Sequence, residues 1–70
     1  MTDETRDLLH IQLEMLKSTM AQAGVILGIA VDKSDVNNSK ILFMDKDKYI
    51  ATHKMAGFSV SLTDFNKDLI

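Results

Sequence analysis

The chain predicts an α+β fold: a long N-terminal helix packed on a 3-4-stranded antiparallel meander, with a short C-terminal helical turn. Two observations carry that expectation. Apolar residues recur at helical spacing up to Ala23, in alternating steps of four and three. After Gly24 the pattern changes to strand-like runs joined by short polar segments, which suit hairpins and not parallel crossovers. The 70 residues make one α+β domain (1–70), divided into a helix over 2–24, a meander over 25–62 and a helical tail over 63–70.

The helix has a start and a stop in its sequence. Thr2 or Asp3 caps it, and Asp3, Glu4 and Asp7 favour the positive end of its dipole. Gly24 suits the left-handed position just past the C-terminus. One apolar stripe comprises Leu9, Leu13, Leu16, Met20 and Ala23, and a second, beside it, Leu8, Ile11 and Met15. At about 100° per residue, Asp3, Arg6, Asp7, His10, Glu14, Lys17 and Ser18 share the opposite, polar face. The stripes together cover an arc of roughly 200°, wider than a helix needs to cover one core. Such a helix runs about 30 Å at 1.5 Å per residue, while five-residue strands span only about 17 Å. One end of it should overhang the sheet.

Beyond the helix, Val25 to Asp32 reads as a strand, with Val25, Leu27, Ile29 and Val31 on one side and the smaller Gly28 and Ala30 on the other. Residues 33–39 form a loop rich in Asp, Asn and Ser. Ile41 to Met44 is a continuous apolar run, expected to be a strand buried on both faces. Asp45-Lys46-Asp47-Lys48 reads as a charged hairpin turn, Tyr49 to Lys54 as a weaker strand, and Met55-Ala56-Gly57 as a second turn. Phe58, Val60 and Leu62 alternate with Ser59 and Ser61, the signature of a half-buried strand. Thr63 is then placed to cap a last helical turn reaching Ile70.

Size and composition narrow the function classes. A domain this small buries only roughly 60% of its unfolded surface and is marginal unless stapled. There is no Cys and there are only two His, which excludes disulfides and thiolate metal sites and argues against a His-built zinc site. Oligomerisation is the remaining device. The net charge of −2 offers no long-range attraction for nucleic acid or anionic lipid. The acidic start is unlike a signal peptide, and the longest uncharged run, 18–31, is too short to span a bilayer. A cytoplasmic protein without membrane contact is the expectation.

Candidate sites are few. Asp35, Asn37 and Ser39 repeat oxygen ligands at every second residue, as in the first half of an EF-hand loop. That loop needs Gly at its sixth position and Glu at its twelfth, where this chain holds Lys40 and Lys46, so turn chemistry explains the residues better. His10 lies between Asp7 and Glu14 on the polar helix face, and His53 on the weak strand. Neither has a nucleophile in sequence reach, so no catalytic residue, metal or cofactor is expected. Lys46, Lys48, Tyr49, His53 and Lys54 form a basic, aromatic-dotted hairpin face that could track a nucleic-acid backbone, although Asp45 and Asp47 offset it. The reading that best fits is a small non-enzymatic homo-oligomeric protein-interaction module. Leu9, Leu13, Leu16, Met20, Leu8, Ile11 and Met15 would be its interface. The alternatives are a nucleic-acid-associated factor using the Lys46–Lys54 face, or one subunit of a hetero-complex.

Overall fold

The structure, a computed structural model, describes residues 1–69. Helix α1 (Asp3–Ala23) leads into strand β1 (Val25–Ala30), a single 3-10 turn (Val36–Asn38) and strand β2 (Lys40–Asp45). Helix α2 (Lys46–Thr52), strand β3 (Gly57–Ser61) and the short helix α3 (Leu62–Asn66) follow. The strands form one three-stranded antiparallel sheet in the order β1-β2-β3. The expected α+β class holds: a long helix, an antiparallel meander and a short C-terminal helix.

Local chemistry explains where α1 begins and ends. Thr2 is its N-cap, and the Thr5 N–H donates to the Thr2 side-chain oxygen at 3.1 Å. Gly24 ends it with φ 67° and ψ 37° while its N–H donates to the Met20 carbonyl, the left-handed cap that glycine adopts without steric cost. The Gly24 carbonyl in turn accepts from the Lys46 N–H at 2.9 Å. The single residue between helix and strand is therefore anchored on both sides.

The segment after β2 corrects the reading of residues 45–54 as a charged turn followed by a strand. Asp45 is an N-cap whose carboxylate accepts from the Lys48 N–H at 2.9 Å, and residues 46–52 are helical. Tyr49 and Ile50 carry strand propensity, but a capped start in a run without Gly or Pro decides for helix. His53 closes α2 with φ 55°, its N–H donating to the Tyr49 carbonyl at 2.8 Å. The histidine expected on a weak strand is thus a helix terminator.

The C-terminal helix also starts elsewhere than expected. Ser61, not Thr63, is its cap, accepting from the Asp64 N–H at 3.1 Å. The Leu62 N–H bonds the Ser39 carbonyl and ends the ladder there. Thr63 instead donates its hydroxyl to the Asn37 carbonyl at 2.6 Å, tying α3 to the 3-10 turn. Ile70, the expected end of the tail, lies outside the described residues.

Register divides the sheet into two faces. Leu27, Phe43 and Phe58 align across the strands, as do Ile29, Ile41 and Val60, and alternation puts both rows on one face. Ile26, Met44 and Gly57 align on the other, beside Gly28, Leu42 and Ser59. The second face holds the buried apolar residue Met44, 7% exposed. A Cβ on Gly28 would lie 2.8 Å from the Met44 Cε, so the missing side chain makes room for the methionine. Ile41, Leu42 and Phe43 are half-buried, which corrects the expectation of a strand enclosed on both faces.

The molecule is extended for its length. Its radius of gyration is 14.3 Å and its extents are 42 × 34 × 17 Å, against about 11 Å expected for the radius of a compact domain of this size. The long helix accounts for this. The sheet element that α1 mainly meets is β1, its neighbour in sequence, and no residue of the helix is buried.

Candidate interaction surfaces

Three surfaces hold the residues singled out by the sequence, or their neighbours. The first is α1. Leu8, Leu9, Ile11, Leu13, Met15 and Leu16 are all exposed, Leu13 at 60% and Met15 at 65%, and Met20 is half-buried near the β1 end. Both stripes therefore face outward, not only the overhanging part. The polar face carries Arg6, whose guanidinium lies 3.6 Å from Asp3 and 3.7 Å from Asp7. Such exposed pairs contribute little to stability.

The second surface, which sequence reasoning did not assemble, is the open face of the sheet. Phe43 and Phe58 stack at 5.1 Å with an interplanar angle of 19°. Leu27, Ile29 and Phe58 on the same face are about half to two-thirds exposed. A hollow of about 350 Å³ opens at one end of this face, lined in part by Val25, Phe43, Lys48 and Phe58. The alternation of Val25, Leu27 and Ile29 and that of Phe58 and Val60 were both visible as patterns. What joined them was the register, which aligns each set with Ile41 and Phe43 of the central strand.

The third is α2, which carries the basic candidate residues. A helical period regroups them. Lys46, Tyr49 and His53 sit at i, i+3 and i+7 and share a side, whereas Lys48 lies roughly 200° around the axis from Lys46. In the expected arrangement Lys46 and Lys48 belonged to the hairpin turn, and Tyr49 and His53 shared one side of the strand that followed, with Lys54 on the other. The Tyr49 and His53 rings meet edge to face at 6.4 Å, and Lys54 follows the helix end.

The oxygen-rich loop uses its carboxylates on its own backbone. Asp32 accepts from the Ser34 hydroxyl at 2.6 Å, from the Ser34 N–H at 2.9 Å and from the Asp35 N–H at 3.3 Å. These bonds, led by the Ser34 hydroxyl, hold the Asp32 carboxyl below its ordinary value of 3.8. Asp35 accepts from the Asn37 N–H at 3.1 Å and caps the 3-10 turn. Among the described residues no helix is long and apolar enough to cross a membrane.

No protein-family model, no curated protein and no solved structure matches this chain.

Proposed function

We propose that this chain is a small, non-enzymatic, cytoplasmic protein-interaction module that works as a homo-oligomer, with α1 as the element of assembly. One observation carries the reading. The accessible surface of a single copy is 5983 Å², about 1,600 Å² more than the roughly 4,400 Å² typical of a folded monomer of this mass. Large apolar side chains are exposed along α1 (Leu8, Leu9, Ile11, Leu13, Met15 and Leu16) and on the open sheet face (Leu27, Ile29 and Phe58). A stripe of exposed apolar side chains such as that of α1 is the kind of surface that marks a protein contact. Oligomerisation is also the staple that a chain with no cysteine has left for a marginal core.

The experiment is light scattering of the protein and of Leu13→Asp at micromolar concentration. Leu13 is 60% exposed in one copy, so the aspartate costs an isolated copy little. Across an apolar interface an unpaired carboxylate costs roughly 3 kcal/mol or more, enough to weaken assembly more than a hundredfold. An oligomer that becomes monomeric on substitution, with its circular dichroism retained, supports the reading. A monomeric parent protein ends it.

A second reading has one observation in its favour: α2 gathers Lys46, Tyr49 and His53 on one side. A nucleic-acid contact there would weaken steeply as salt rises, and a mixed oligonucleotide pool left unshifted at low salt excludes it. A hetero-complex would draw on the same α1 surface with a different polypeptide opposite.

A further inference from the structure

We infer that the occupant of the open sheet face is helix α1 of a second copy, seated reciprocally, so that two chains exchange helices across a two-fold axis. The inference rests on the homo-oligomer reading and specifies its geometry. The dimensions agree. From Leu9 to Met20 the longer stripe of α1 covers about 16 Å at 1.5 Å per residue, and strands of this length span about 17–20 Å. The two outer strands of a three-stranded sheet lie about 10 Å apart, close to the 10–12 Å diameter of one helix. One helix is therefore wide and long enough to cover this face.

The chain's own helix is held away from that seat. Gly24 is the sole residue between α1 and β1. Its N–H is bonded to Met20 and its carbonyl to Lys46, so the connection has no slack to swing α1 across the sheet. The row Leu27, Phe43 and Phe58 stays open as a result, with the 350 Å³ hollow beside Phe43 and Phe58.

A second copy satisfies both surfaces at once. Each chain holds an exposed apolar helix and one free sheet face, and a two-fold exchange seats the Leu9–Met20 stripe of each on the sheet of the other with no open end. Covering the surplus of about 1,600 Å² on each chain would bury roughly 3,200 Å² in the pair, within the range of obligate homodimers.

The absence of native cysteine allows a direct test. Three variants, Leu13→Cys, Phe58→Cys and the double variant, are treated with a short thiol-to-thiol cross-linker, then run on a denaturing gel. Parallel samples without cross-linker are sized by light scattering. Reciprocal seating predicts doubled mass for the double variant alone. Doubled mass from Leu13→Cys alone means helix against helix, and from Phe58→Cys alone means sheet against sheet; either overturns the exchange. Thiols consumed within a single chain mean that α1 folds back on its own sheet, which overturns it as well. A dimer by light scattering with no cross-link in any variant removes the exchange but keeps the homo-oligomer. A monomer by light scattering removes both. If circular dichroism shows that Phe58→Cys does not fold, the Leu16→Cys and Leu27→Cys pair repeats the measurement on the same two surfaces.

Discussion

The corner of the molecule around β2 and helix α1 are held together by different means. Around β2, Ser39 and Met44 are buried, and hydrogen bonds converge from Asp32, Ala56 and Leu62. Residues far apart in sequence hold each other there. Along α1 no residue is buried, and what the helix has of its own is a threonine cap, a glycine stop and its internal hydrogen bonds. In proteins most of a helix's stability comes from tertiary packing of its amphipathic face. The difference teaches that the β2 corner is held by contacts between distant residues, whereas α1 rests on its own local bonds and leaves its apolar stripes exposed.

That contrast can be broken from either side. The largest effect is expected at Gly57. A Cβ there would collide with the Phe43 carbonyl oxygen, a backbone atom that cannot rotate aside. Gly57→Ala should cost about 3 kcal/mol or more, seen as a lost or much lowered urea midpoint for the sheet. An unchanged midpoint would mean that the β2–β3 corner is not what holds the fold.

A smaller effect is expected at the other region. Thr2→Ala removes the cap of α1 and should cost about 1 kcal/mol. Amide hydrogen exchange should show it as fraying of the first helical turn, with protection in β2 unchanged. Loss of protection in both regions together would show that the helix and the sheet are one cooperative unit, not two.

His53→Gly sharpens the comparison in the opposite direction. The residue stands at φ 55°, where glycine is favoured over a side chain, so the substitution should stabilise by about 0.5 kcal/mol. The gain is read as a higher urea midpoint. A loss would mean that the edge contact with Tyr49 outweighs the backbone preference.

The smallest effect concerns acid. Asp32 has its folded carboxyl held below 3.8 by the Ser34 and Asp35 bonds. Its contribution is therefore fully present above the unfolded value and is lost as pH falls through the lower folded value. The difference in urea midpoint between the parent protein and Asp32→Ala should be present at pH 7 and shrink below pH of about 4. Equal differences at both pH values would detach the loop from the charge of Asp32.

Much of the fold was legible in the sequence because its signals are local. Thr2, Gly24 and the leucine rhythm marked α1 almost to the residue. The alternations around Leu27 and Val60 marked β1 and β3, since the period of a strand is written in consecutive side chains. Residues 45–54 were misread because their propensities conflict: Tyr49 and Ile50 favour strand, while Asp45 favours a helix start. The cap bond from Lys48 and the left-handed end at His53 resolved the conflict. Of the candidate surfaces, the α1 stripes were readable in advance, whereas the open sheet face was not.

What the sequence by itself determined is the character of each segment: where α1 starts and stops, which of its side chains are apolar, and which strand residues alternate. These follow from interactions within a turn or between next neighbours. Only the tertiary structure decided which strands pair, and in what register. It also decided that Phe43 and Phe58 meet, and that Gly24 is anchored to Lys46 where α1 joins β1. Those outcomes depend on bonds between residues distant along the chain, and no local pattern encodes the partner at the far end of such a bond.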